Sequence, residues 1–304
     1  MATLDKITGV LPPGRYDSHS HVMQGEPRPE AYAAAFREAG MAGGAVFSQD
    51  PNPTGVNPPV PPPPAEAMDL CIEWASASRT LYPFYWINPS APGAVDLVDL
   101  AVEKGMFGFK ALPGTYYPGD PACLEVFRRI AHFGKPLMLH SGILWDGRFS
   151  SRYTRPGNYE AVLEVPGLRF CLAHVSWPWC DECIAVFGKF LNALSIWKDQ
   201  APEMFIDLTP GTPAIYRRDA LVKLFTIGYD VRDHVMFGTD GMTPDYGVDW
   251  CQRWQRRDDG IYDELGFSPE ARDSVYRAAF QRFLFGAPEG EDRSRRIPSQ
   301  NAVS

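Results

Sequence analysis

The sequence has no basic excess, no dense set of cysteines and no apolar run longer than a strand. Its 29 lysines and arginines stand against 37 aspartates and glutamates, a formal charge of −8. No basic run is available to neutralise a phosphate backbone, which argues against nucleic acid as a partner. Six cysteines scattered over 304 residues make no disulfide framework. Cys180-Asp181-Glu182-Cys183 has C-x-x-C spacing, but a zinc site would need a second such pair; thiols on a partly buried helix are the expectation. Apolar runs of strand length predict no membrane span. The N-terminus lacks the basic-then-apolar layout of a signal peptide, so a cytoplasmic protein is expected.

What is present is an alternation. Eight short apolar runs, at about 15–22, 43–48, 81–87, 106–111, 136–141, 168–174, 203–208 and 234–239, read as strands. Between most of them lie helical stretches, at 29–40, 66–79, 93–104, 121–133, 179–197, 213–227 and 269–284. Strand–helix alternation predicts a parallel sheet with crossovers, and eight units in one chain predict an α/β fold of the (β/α)8 TIM-barrel type over residues 1–286. An open doubly wound sheet fits less well, because no Gly-x-Gly-x-x-Gly follows the first strand. Two segments stand outside the repeat. Residues 51–64 are proline-rich and predict an extended polyproline II loop, either a connector or a lid on the barrel mouth. Residues 287–304 are polar and are expected to be a disordered tail.

Four of the six histidines, with a lysine and an aspartate, fall at the C-terminal ends of these runs. Asp17-Ser18-His19-Ser20-His21 places His19 and His21 on one face of a strand, about 7 Å apart. Lys110, His140, His174 and Asp240 close the runs Gly-Phe-Lys, Pro-Leu-Met-Leu-His, Phe-Cys-Leu-Ala-His and Val-Met-Phe-Gly-Thr-Asp. In a closed barrel strands one and eight are neighbours, and all six residues would meet at the catalytic end. Imidazole and carboxylate together suit a divalent ion at a hydrolytic site. His19, His21 and Asp240 would hold one ion, and His140 and His174 a second. A protonated lysine is costly there, whereas a carbamylated Lys110 would be a carboxylate able to bridge two ions. His132 and His234, which precede strands five and eight, would face the other end and are read as structural.

This set resembles the amidohydrolase superfamily, whose members carry H-x-H after strand one, a carbamylated lysine after strand four, histidines after strands five and six, and aspartate after strand eight. The Phe-Lys-Ala-Leu-Pro context of Lys110 resembles the bridging-lysine strand of dihydroorotases. The general layout is similar to the branch that includes 2-pyrone-4,6-dicarboxylate lactonase and related decarboxylases. The resemblance implies two divalent metal ions (zinc, manganese or iron) and a hydrolase for which Asp240 is the general base.

The loops after the strands are rich in aromatic and basic residues. Arginine recognises carboxylates with paired hydrogen bonds, so Arg148 and Arg152, with Trp177 and Tyr116, are candidate contacts for a small anionic substrate with an apolar body. A metal-activated water would cleave an amide, lactone or ester. Two other chemistries use similar ligands: a non-haem di-iron monooxygenase of specialised metabolism, were the ions iron, and a single-metal decarboxylase or hydratase, were Lys110 a free cation. A non-catalytic binding module would be marked by a lost ligand, and none is lost. Exposed aromatic loops are compatible with a homo-oligomer.

Overall fold

A computed structural model describes residues 5–23, 25–52, 60–288 and 290–291. Strands β1 (Arg15–His21), β2 (Met41–Phe47), β3 (Leu81–Trp86), β4 (Gly108–Ala111), β5 (Leu137–Leu139), β6 (Arg169–Leu172), β7 (Glu203–Asp207), β8 (Val235–Met236) and β9 (Gly241–Met242) lie in one parallel sheet. The order is β8-β7-β6-β5-β4-β3-β2-β1-β9. β8 and β9 are two ends of the expected eighth strand: β8 pairs with β7, and β9 with β1. Between them the Ser18 N–H donates to the Phe237 carbonyl at 3.0 Å, and the Asp240 N–H to the His19 carbonyl at 2.9 Å. The sheet thereby closes on itself, as a (β/α)8 barrel requires.

Helices α1 (Pro29–Glu38), α2 (Pro64–Trp74), α3 (Ala94–Glu103), α4 (Pro121–His132), α5 (Cys180–Trp197), α6 (Ala214–Thr226) and α7 (Val248–Glu264) follow the strands, and α8 (Pro269–Asp273) and α9 (Ala279–Phe285) end the fold. Proline opens α1, α2, α4 and α8, where its fixed φ suits the first turn and its missing N–H costs nothing. Helix α7 is absent from the sequence expectation. Its inward face includes Gln255 and Asp258, so polar partners, rather than an apolar stripe, hold part of it: Asp258 takes two hydrogen bonds from buried Arg217 at 2.9 and 2.6 Å. No described helix is long and apolar enough to cross a membrane. Of the proline-rich segment 51–64, residues 53–59 lie outside the described residues, as do residues 289 and 292–304 of the expected tail.

One apolar core fills the space between sheet and helices; a second fills the barrel, with Tyr16, Phe47, Phe84, Met138, Phe205 and Met236 meeting Phe280 and Phe283 of α9. Helix α9 is therefore the floor of the barrel. It is fixed there by charge as well as by packing. The buried Glu203, which begins β7, accepts from Arg282 of α9 and from His234 Nε2 at 2.9 Å, so His234 lies at the structural end, as expected. His132 is exposed at the end of α4. Burial opposes ionisation of Glu203, but the bonds and charges of His234 and Arg282 outweigh it and hold the carboxyl well below the usual glutamate range.

A depressed carboxyl pKa stabilises the fold above the unfolded value and loses that contribution as pH falls below it. Glu203→Gln should therefore cost about 3 kcal/mol near pH 7, the scale of breaking a buried pair. The gap to wild type should narrow as the solution is acidified below about pH 4.3. Thermal unfolding across pH checks this; an equal loss at pH 7 and pH 3 would contradict it.

Candidate metal centre

Strict alternation along β1 would set Tyr16 on the face opposite His19 and His21. All three nevertheless face the barrel interior: Tyr16 stacks on Phe280, while His19 and His21 meet Phe47 edge-on. A register shift between Asp17 and Ser20 permits this, because a bulge re-aims the side chains that follow it. His19 Nε2 and His21 Nε2 stand 3.1 Å apart. Asp240 Oδ1 lies 3.0 Å from His21 Nε2 and 3.4 Å from His19 Nε2, and Lys110 Nζ lies 3.1 Å from His19 Nε2. The ring of His174 is centred 5.2 Å from that of His19 and 4.9 Å from that of His140. The structure thus brings all six residues singled out from the sequence to one cleft of about 380 Å³.

The imidazoles are oriented by a carboxylate that the sequence reading passed over. Asp207, the last residue of β7, is fully buried. Its Oδ2 accepts from His19 Nδ1 at 2.6 Å, and its Oδ1 from the backbone N–H groups of His174 and Thr209 at 2.8 and 3.1 Å. The Thr209 hydroxyl also donates to Asp207, and stands 2.6 Å from His174 Nδ1. A hydroxyl has one proton to donate. With that proton on Asp207, His174 Nδ1 has to carry its own and donate to Thr209. Both rings therefore bear hydrogen on Nδ1 and leave Nε2 as a bare lone pair. Burial opposes ionisation of Asp207, yet its contacts with His19 and His174 hold it well below the carboxylate range.

A second buried carboxylate ties β1 to the eighth strand. Asp17 accepts from the His19 and Thr239 N–H groups at 2.9 and 3.0 Å, and from the Thr239 and Tyr246 hydroxyls, each at 2.5 Å. Thr239 immediately precedes Asp240, whose φ of +58° is left-handed, a conformation aspartate tolerates better than most residues. Gly238 is required by close approach: a Cβ there would lie 2.5 Å from Thr209 Cγ2 and 3.1 Å from His19 Cβ. After β6, His174, Val175 and Ser176 are all left-handed, at φ 63°, 41° and 55°. For a β-branched valine this is strained backbone of the kind that clusters at functional sites.

These donors fit a divalent cation. With His19 protonated on Nδ1, its Nε2 and Asp240 Oδ1 are two acceptors facing one another at 3.4 Å, a pair that a cation would satisfy, as Lys110 Nζ, 3.1 Å from His19 Nε2, does on one side. The buried His140 Nε2 has no hydrogen-bond partner. His19, His21 and Asp240 offer ligand atoms within 4.8 Å of one another, a mixed nitrogen and oxygen set suited to zinc, manganese or iron. Burial lowers His19 and His174 to about 4 and shifts His21 and His140 the same way, so the imidazoles are neutral at pH 7 and available as ligands. Burial also disfavours the Asp240 carboxylate, but the His21 hydrogen bond and the neighbouring histidines prevail and keep it ionised.

The expected substrate contacts are placed differently. Arg148 and Arg152 are exposed and do not line the cleft. Arg152 lies over the Phe149 and Tyr153 rings instead, because an exposed loop arginine finds aromatic faces nearby. Tyr116 is buried in the main core. Trp177 is half-buried, stacked between Trp145 and Tyr216. Among the described residues that line the cleft, Lys110 is the sole lysine or arginine, while Asp50 and Asp146 join Asp240.

Replacing Asp207 by Asn removes the acceptor that fixes both tautomers. Loss of such an orienting partner costs about 10–100-fold in metal affinity, and titration of Asp207→Asn with zinc or manganese should show a fall of that size with the barrel still folded. Wild-type affinity would contradict the tautomer argument.

Comparison with protein families matches residues 16–283 to the family described as Amidohydrolase. No curated protein matches the sequence. The fold is similar to that of a probable 2-pyrone-4,6-dicarboxylic acid hydrolase from Acinetobacter baumannii solved with citric acid bound, at TM-score 0.55 and 11% identity over 90% of this chain and 100% of that one. It is similar as well to amidohydrolase 2 from Bifidobacterium longum subsp. infantis (TM-score 0.52, 15% identity, 88% and 98% covered). A third similar structure is the dihydroorotase of Campylobacter jejuni (TM-score 0.52, 14% identity, 89% and 80% covered). Identities this low speak to the fold alone, and the assignment rests on the family match across most of the sequence. The chain belongs to the amidohydrolase family of hydrolase-type enzymes.

Proposed function

We propose that this chain is a metal-dependent hydrolase that cleaves an amide, lactone or ester bond. The observation that carries the reading is the pair of facing acceptors, His19 Nε2 and Asp240 Oδ1, 3.4 Å apart in the cleft. His19, His21 and Asp240 would hold one divalent cation. His140 and His174 would hold a second, with Lys110 shared between the two as a carbamate. When bound, such cations polarise a carbonyl group and bring a water to near-neutral acidity.

The protein's own groups supply the rest. Asp240, kept ionised by the neighbouring histidines, takes the proton of the attacking water and returns it to the leaving group. Asp207 and Thr209 keep the Nε2 atoms of His19 and His174 free of hydrogen, and Asp17 fixes the turn from which Asp240 projects. Burial lowers Lys110 from 10.5 to about 8, against the opposing pull of Asp207 and Asp240. Its neutral amine is thus far better populated than that of a surface lysine, and this is the form that adds to CO2, releasing one proton, to give a carbamate.

A single-cation decarboxylase or hydratase is favoured by one observation. Lys110 Nζ lies 3.1 Å from the bare Nε2 of His19, as an ammonium donating to that nitrogen would. Loading the metal-depleted protein with and without CO2 separates the two readings: recovery of activity depends on CO2 for the shared carbamate and is indifferent to it for the free ammonium. In both, Asp240→Asn should lower kcat by about 100- to 10,000-fold and leave the unfolding midpoint in place. Full turnover by that variant would sink the general-base role.

A further inference from the structure

We infer that the substrate carries a flat aromatic body, stacked on the exposed Trp145 ring that ends a Trp145–Trp177–Tyr216 stack, with its scissile bond in the cleft; what happens at that bond rests on the hydrolase reading. Trp145 lines the cleft, yet it is 77% exposed. Its ring is held by stacking on Trp177, with centroids 6.1 Å and planes 14° apart. Trp177 stacks in turn on Tyr216, at 5.9 Å and 29°. Three nearly parallel rings therefore lead outward from the cleft to a second depression of about 410 Å³, which Trp177 and Tyr216 line.

The loops after β5 and β6 and the first turn of α6 each contribute one ring. Large aromatic faces left in water bring the fold no packing gain, and a contiguous set of them marks a binding surface. An aromatic ring gains offset stacking on the exposed indole face. The charges of the second depression are largely met within the protein: Asp181 accepts from Lys223 at 2.9 Å and Glu182 from Arg155 at 2.7 Å, so ring stacking is the chief recognition this surface offers.

Fluorescence titration of the protein as purified with 2-naphthamide and its decahydro counterpart tests this without relying on turnover. The aromatic amide should bind about tenfold more tightly than the saturated one, the worth of ring stacking. Trp145→Ala should erase the aromatic preference and Trp145→Phe should retain it, both with unchanged unfolding midpoints. Absence of 2-naphthamide binding, or a preference that survives Trp145→Ala, would overturn the inference. The hydrolase reading fails by a different route, if Asp240→Asn retains turnover, and that outcome leaves the binding results intact.

Discussion

The Asp207 carboxylate is the contact on which the site depends. It joins β1, the turn after β6 and the end of β7 through His19, the His174 backbone and Thr209. A buried carboxylate is costly unless its lone pairs are met by donors, and here the donors are the groups whose orientation matters. The same bonds that make its burial tolerable choose the tautomers of two imidazoles. Structural stability and ligand chemistry are therefore one problem at this position, solved by one side chain.

Asp17 plays the corresponding part at the seam of the barrel. The eighth strand pairs regularly only at its two ends, and the irregular residues between them contain Asp240. Two hydrogen bonds from Thr239 to Asp17, with a third from Tyr246 just beyond β9, hold that stretch against β1, and the unusual backbone at Asp240 and at His174–Ser176 is sustained by such contacts. The opposite end of the barrel is plain by comparison, closed by α9 and the Glu203–Arg282 pair. Regular packing below supports strained geometry above, which is where a barrel places its chemistry.

Much of this was legible in the sequence. Strands buried on both faces read as apolar runs, and a ligand at the end of a run is conspicuous because apolar periodicity stops there; His19, His21, Lys110, His140, His174 and Asp240 all stood out for that reason. Asp207 ends Glu-Met-Phe-Ile-Asp in the same way, but it accepts from histidines rather than facing the cleft, and nothing in its local sequence separates the two roles. Helix α7 was missed because Asp258 and Gln255 occupy its buried face, which breaks the apolar period. The β1 bulge was invisible, since alternation assumes an unbroken register. Arg148 and Arg152 stand outside the cleft, which was not legible because composition assigns residues to a loop, not to the side of the loop that meets the cleft.

The central claim is that His19, His21 and Asp240 hold a divalent cation at the head of the barrel. Elemental analysis of protein purified without chelator or a metal-affinity tag, beside a His19→Ala, Asp240→Ala double variant, tests it most directly. The account predicts about two equivalents of zinc, manganese or iron per wild-type chain and their marked loss from the folded variant. A wild-type protein that is active with less than about a tenth of an equivalent, or a variant that keeps its full metal content, would contradict it.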